Sequence, residues 1–126
     1  MVKSSIAAPL CAAVLLGLAA GPGRAASPYD GVWSVLVVTD QGSCDRGYRY
    51  SLRIKNGRVF YNGQADFDIS GQVSAGGAVQ VRITRGRQGA SGSGRLTPSS
   101  GSGRWSGASP ETKCSGHWEA ERRAAN

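Results

Sequence analysis

The single histidine and its acidic neighbours are the first residues of this sequence whose types and spacing could support chemistry. His117 is the only histidine among 126 residues, and it shares one face of a predicted strand with Glu119 and Glu121. Such a face could bind a metal ion weakly, and a Ser-His-Asp arrangement would have to use the same histidine. Protein metal sites, however, take ligands that converge from several elements. A solvated polar strand face is therefore the better interpretation.

Asp66 and Asp68 are the second candidate, because two carboxylates on one face can act as an acid–base pair. Since basic strands surround them, we interpret both acids as neutralising neighbouring charge. The sequence contains no G-x-S-x-G elbow, P-loop, zinc-ligand spacing or EF-hand loop. It is also too short for a TIM-barrel enzyme, which needs about 250 residues. We therefore predict no catalytic residues, no metal and no cofactor, and a protein that is not an enzyme.

The basic residues are more informative than the acids. The formal net charge of the chain is +7. Arg49, Arg53, Lys55 and Arg58 are predicted to share the outer face of one hairpin, with Phe60 exposed among them. A basic sheet face with an exposed aromatic side chain can bind nucleic acid. The alternative is a solvated face that keeps the strands soluble and prevents edge pairing.

The beginning of the chain has the composition of a signal peptide. Lys3 provides a positive charge, residues 6–20 are uncharged and mostly apolar, and small residues precede a cleavage site after Ala25. A membrane anchor is the alternative, but the apolar run is shorter than the ~20 residues that span a bilayer. We predict a signal peptide over residues 1–25 and a single domain over residues 26–126. The protein would then be periplasmic or secreted, with no transmembrane segment after cleavage.

Cleavage would remove Cys11 and leave two cysteines, Cys44 and Cys114. In an oxidising compartment, one pair without a competing partner predicts one disulfide. It would close a loop of about 70 residues and stabilise the fold by roughly 4 kcal/mol. A metal or catalytic thiol site is the alternative, but one histidine and two distant cysteines are a poor ligand set.

The elements that must position these residues are strands. Apolar and polar residues alternate with period 2, most clearly over residues 48–55. Asn56-Gly57 then predicts a two-residue hairpin turn that places Lys55 opposite Arg58. About eight such strands, joined by short turns, predict one all-β domain: an antiparallel up-and-down barrel or, alternatively, a β-sandwich.

A repeated Ser-Gly-Ser-Gly-Arg stretch, at residues 91–95 and 100–104, is the remaining sequence pattern. Leu96 and Trp105 follow the two copies at matched positions. We interpret the copies as two adjacent strands whose glycines allow another surface to approach closely. A flexible linker is the alternative.

Two short motifs resemble the calycin-like barrels, which include the lipocalins and avidin-like proteins. Gly31-Val32-Trp33 matches their G-x-W at the start of the first strand, and Arg122 lies near the end of the last strand. In those families an arginine at this place often packs across the first-strand tryptophan. The resemblance implies a barrel topology in which Trp33 and Arg122 close one end.

The mature chain also resembles a group of small uncharacterised exported proteins of Gram-negative bacteria, some of which carry a label of heme utilisation or adhesion. The stretches that carry the resemblance are Trp33-Ser34-Val35, Cys44 with Tyr48-Arg49-Tyr50, residues 101–107, and Cys114-Ser115-Gly116 with Trp118-Glu119-Ala120. We therefore expect an exported monomer that works as a binding module.

Three functions are open for such a module. It could present its arginines to an anionic envelope polysaccharide or glycolipid, hold a small apolar ligand such as heme inside the barrel, or inhibit a protease. Export argues against nucleic acid as the partner in vivo. Aromatic side chains that could fill the interior favour binding at the surface; they are Tyr48, Tyr50, Tyr61, Phe67 and Trp105.

Overall fold

Eight antiparallel strands close into a barrel in which each strand pairs with the next and β8 pairs back with β1. The computed structural model describes residues 27–124, so the predicted signal peptide lies outside the described residues. The predicted all-β up-and-down barrel is confirmed, and the sandwich alternative is wrong. The strands are β1 (Gly31–Gln41), β2 (Gly47–Lys55), β3 (Arg58–Tyr61), β4 (Asp68–Val73), β5 (Ala78–Arg85), β6 (Gln88–Leu96), β7 (Ser100–Ala108) and β8 (Lys113–Ala124).

Within residues 27–124, no helix has the length and hydropathy needed to cross a bilayer.

The turn between β2 and β3 has the predicted register. Asn56 and Gly57 have φ angles of 53° and 77°, the left-handed conformations that a type I′ turn requires. Lys55 pairs with Arg58, and the pairing continues through all four residues of β3. Turn chemistry and apolar alternation therefore specify the same hairpin.

Asp30, just before β1, holds this turn in place. Its carboxylate accepts hydrogen bonds from the Asn56 N–H at 2.8 Å, the Gly57 N–H at 3.2 Å and the Ser27 hydroxyl at 2.8 Å. Burial by itself raises the pKa of the Asp30 carboxyl, but these hydrogen bonds outweigh burial and lower the pKa below its ordinary value of 3.8. Folding therefore favours the charged form of this side chain.

We expect the Asp30→Asn variant to lose about 1.5–3 kcal/mol of unfolding free energy at neutral pH, because a neutral amide replaces a charged acceptor. A carboxyl whose pKa is lowered by folding stabilises the fold above its unfolded-state pKa, and this contribution is lost as the pH falls through the folded-state pKa. The difference from wild type should therefore shrink as the pH falls below 3.8. Urea unfolding at a series of pH values measures it. A difference that stays constant down to about pH 2 would contradict the assignment.

The buried core lies at the end of the barrel where β1 begins and β8 ends. Trp33 is 1% exposed, and its indole Nε1–H donates to the Tyr29 carbonyl at 2.8 Å. Farther along the barrel the inward-facing side chains are only partly buried, among them Val35, Val37 and Val81. The buried side chains of the core are Tyr29, Trp33, Ile54, Val59, Val73, Val79, Leu96, Trp118 and Ala120.

Glycines on the inner face of β6 and β7 make room for Trp118. Gly94 and Gly103 face each other across these two strands, and a Cβ atom built on either would lie 2.5 or 2.7 Å from the Trp118 ring. The indole Nε1–H of Trp118 donates to the Ser93 carbonyl at 3.2 Å. The Ser-Gly repeats are therefore paired strands that form a flat wall for an aromatic ring, and the linker alternative is wrong.

A disulfide between Cys44 and Cys114 ties the β1–β2 loop to the start of β8, which confirms the predicted pairing. The two Cα atoms are 6.2 Å apart. At the same end, the Thr39 hydroxyl donates to the Asp45 carbonyl at 2.7 Å. The bridge and this hydrogen bond hold the β1–β2 loop against the strands where the barrel closes.

Candidate functional site

Two neighbouring rows of polar side chains cross the outer face of the barrel from β3 to β8. Successive residues of a strand point to opposite faces, and the strand neighbours of these residues point into the barrel. All the side chains in the two rows therefore face outward. We name the ten residues together the polar band. The first row contains Arg58, Gln72, Gln80, Ser93 and Arg104, and the second contains Ser70, Arg82, Ser91, Ser106 and Ser115.

The polar band forms a shallow open groove. The groove has a volume of about 1050 Å³ and is lined by all ten residues of the band and by Phe60. Residues of the inward-facing alternation also line it: Val59, Ile69, Gly71, Val81, Gly92, Trp105 and Gly116. Half of the ten are serines, whose short side chains make the floor, while the long side chains of Arg58, Arg82 and Arg104 project from it. A second depression of about 510 Å³ adjoins the groove and reaches Lys113. The face is therefore polar and open to solvent.

The charged residues of the polar band are all arginines. Arg58, Arg82 and Arg104 lie on β3, β5 and β7, so they occupy every second strand at intervals of about 10 Å along the sheet. Within residues 27–124 none of the three forms a salt bridge, whereas Arg85 lies 3.3 Å from Asp66. No acid belongs to either row. The three guanidinium groups therefore have no acidic partner within residues 27–124, while His117, opposite Arg104 on β8, contacts Asp40.

The structure separates the four residues that the sequence predicts to bind an anion. Arg58 belongs to the polar band, and Lys55 lies directly opposite it on β2. Arg53 lies opposite the exposed ring of Phe60, next to the band. Arg49 lies nearer the other end of β2, where its guanidinium donates to a serine hydroxyl of β1 at 3.0 Å. Three of the four predicted residues therefore lie in or beside the band, and Arg49 lies apart.

Two arginines of the band escaped the sequence prediction. Arg82 and Arg104 belong to other hairpins than Arg58, so a comparison within one hairpin does not bring the three together. The sequence does predict that both arginines face outward, because Arg82 follows the inward residue Val81 and Arg104 precedes the inward residue Trp105. The cross-strand registers of five further strands were needed to place them in one band.

His117 is paired with an aspartate. Its Nδ1 lies 2.8 Å from an Asp40 carboxylate oxygen, and the two side chains are 38% and 45% exposed. Glu121 pairs instead with Arg123 at 3.4 Å. Among the described residues no serine hydroxyl is hydrogen-bonded to the His117 ring, and no group of three His, Cys, Asp or Glu side chains could hold a metal ion. The geometry is that of a polar strand face whose side chains pair locally.

The two candidate carboxylates, Asp66 and Asp68, have different surroundings. Asp66 lies before β4 and forms its ion pair with Arg85. Asp68 begins β4 and lies opposite Thr84 on β5. The ion pair with Arg85 agrees with the interpretation that Asp66 neutralises a neighbouring positive charge.

Four aromatic side chains gather at the disulfide end of the barrel. The ring of Phe67 lies 5.1 Å from that of Tyr61 and 6.1 Å from that of Tyr50, and Tyr48 lies 5.9 Å from Tyr50. Tyr48 is 39% exposed, so the cluster extends from the inner wall to the surface. Burial raises the pKa of the Tyr50 phenol, which stays neutral at physiological pH. A small apolar ligand inside the barrel stays a prediction.

Trp33 and Arg122 lie opposite each other in the β1–β8 register, at the end of the barrel that holds the core. The Arg122 guanidinium donates to the Asp30 carbonyl and, at 3.4 Å, to the Pro98 carbonyl. It thereby links the start of β1 to the β6–β7 turn. Trp33 and Arg122 are two of the residues on which the resemblance to calycin barrels rests, and that resemblance stays a prediction.

No protein-family model, curated protein or solved structure matches this chain.

Proposed function

We propose that this protein is an exported, non-enzymatic binding protein of the cell envelope, which presents its arginine-rich outer face to an anionic partner. The observation that carries this proposal is the polar band. Three arginines without salt bridges in residues 27–124 lie along one acid-free groove. Three arginines on one face support an anionic partner, because clustered positive charge raises the local concentration of anions.

The disulfide supports the proposed location. Disulfides persist in secreted and periplasmic proteins and are rare in the cytosol. The Cys44–Cys114 bridge therefore agrees with export directed by residues 1–25. In that compartment, anionic glycolipids and polysaccharides are the polyanions that the band would meet.

We expect the Arg58→Glu, Arg104→Glu double variant to lose retention on immobilised heparin and on lipopolysaccharide at moderate ionic strength. The substitutions reverse the charge at both ends of the first row, and affinity for a polyanion depends steeply on the number of cationic contacts and on salt. Thermal unfolding should change little, because exposed charges contribute below about 1 kcal/mol each. The salt concentration at elution is the measurement.

A matched control makes the same charge change elsewhere. Arg46→Glu with Arg87→Glu alters two exposed arginines outside the polar band. This control should elute much closer to wild type than the band variant does. Equal losses in the two double variants would show that net charge alone governs retention, and the proposed binding face would be wrong.

A further inference from the structure

We propose that the polar band binds a linear anionic polysaccharide, whose acidic groups contact the arginines and whose hydroxyl groups contact the serine floor. This inference rests on the proposed function and adds the chemical class of the partner. It is carried by three features of the band: the spacing of its charges, the chemistry of its floor and its path around the barrel.

The charges are spaced for a polymer. Arg58, Arg82 and Arg104 recur on every second strand, at intervals of about 10 Å. The whole band crosses six strands, which is about 24 Å along the sheet. A single carboxylate or sulfate group would engage one arginine only, whereas an extended chain with an acidic group on alternate sugars would present a charge to each in turn.

The floor between the arginines is suited to hydroxyl groups. Serine hydroxyls and the amides of Gln72 and Gln80 both donate and accept hydrogen bonds, as sugar hydroxyls do. A polyphosphate has acceptor oxygens but no hydroxyl donors along its chain, so it would use only the donor half of what the serines and amides offer. Single-stranded nucleic acid binds by stacking its bases on aromatic side chains. Two aromatic residues line the groove: Phe60 is exposed at the β3 end, and Trp105 is half-buried with its indole N–H bonded to the Val38 carbonyl.

The path of the band favours a flexible chain over a membrane. The two rows run from β3 to β8 around the wall of a closed barrel, so Arg58 and Arg104 face different directions. A planar bilayer surface would contact one part of this curved wall at a time. A linear polysaccharide can follow the groove and reach both ends.

The test removes hydroxyl groups from the floor without changing charge. Ser91 and Ser106 are exposed and lie directly opposite each other. The Ser91→Val, Ser106→Val variant removes both hydroxyls, and the Ser91→Thr, Ser106→Thr variant has the same shape but keeps them. Both residue types favour strands, so both variants should fold, which circular dichroism and thermal unfolding check.

The affinities of both variants are measured for heparin oligosaccharides, polyphosphate, single-stranded DNA and anionic phospholipid vesicles. We expect the valine variant to bind heparin oligosaccharides about tenfold more weakly, because two hydrogen bonds are lost, and the threonine variant to stay within about twofold of wild type. Affinity for polyphosphate should fall less in the valine variant than affinity for heparin oligosaccharides does, because polyphosphate offers acceptor oxygens only.

Equal heparin affinities for the valine and threonine variants would overturn the inference. So would tighter binding of the wild-type protein to single-stranded DNA or vesicles than to the oligosaccharides. In either case the proposed function would stand as long as the Arg58→Glu, Arg104→Glu variant still lost retention. An unchanged elution of the Arg58→Glu, Arg104→Glu variant would show instead that the proposed function is wrong.

Discussion

Replacing Gly103 with alanine should lower the free energy of unfolding by about 3 kcal/mol, although the change adds a single methyl group. A Cβ atom at this position would overlap the Ser93 carbonyl oxygen and would lie 2.7 Å from both the Gly94 Cα and the Trp118 ring. Two of these neighbours are backbone atoms of β6, so they cannot rotate away as a flexible side chain would. Relief requires β6 and β7 to separate or the indole to leave its place in the core.

The matched control is another inward glycine on the same wall. A Cβ atom on Gly92 would meet its nearest neighbours at 3.5–3.8 Å, which is ordinary van der Waals contact. The Gly92→Ala variant should therefore stay within about 1 kcal/mol of wild type, since alanine also reduces the conformational entropy of the unfolded chain. Urea unfolding of both variants gives the comparison. Equal stabilities for the two alanine variants would mean that the glycine wall does not fix the position of Trp118.

The hairpin around Asn56-Gly57 could be predicted from sequence because all its determinants are local. The turn residues require left-handed backbone, and the alternation on both sides selects the same register. The contact between Trp118 and the glycines could not be predicted in the same way. Trp118 lies on β8, and only closure of the barrel brings its ring against the inner face of β6 and β7. The sequence indicated that these glycines allow another group to approach closely, but it did not indicate that this group is the Trp118 ring.

The candidate site has the same limit. Arg53, Lys55 and Arg58 could be grouped from one hairpin, and the structure places them in or beside the polar band. Placing Arg82 and Arg104 in that band depends on the registers across β4 to β8. Those registers follow from loops of different lengths and from the closure of the sheet, which no local pattern encodes. A binding face made of one residue per hairpin is therefore visible only once the barrel is built.

Removing the disulfide should have the largest effect on stability. The Cys44→Ala, Cys114→Ala variant is expected to lose about 4 kcal/mol of unfolding free energy, because the bridge joins residues 70 positions apart and so restricts a long loop of the unfolded chain. Alanine is the appropriate replacement, since Cys114 is 4% exposed and a serine there would bury a hydroxyl group. For a domain of this size, such a loss is a large fraction of a total of about 5–15 kcal/mol.

Urea unfolding and amide hydrogen exchange test this expected loss of stability. Wild-type protein treated with a reducing agent should unfold at the same urea concentration as the double-alanine variant, because both lack the same covalent restriction. The bridge ties the loop before β2 to the start of β8, beside the β1–β8 pair that closes the barrel. We therefore expect amide hydrogen exchange in the variant to rise most in β1 and β8 near Cys114. A loss below about 1 kcal/mol would show that strand pairing alone closes the barrel and that the disulfide adds little to its stability.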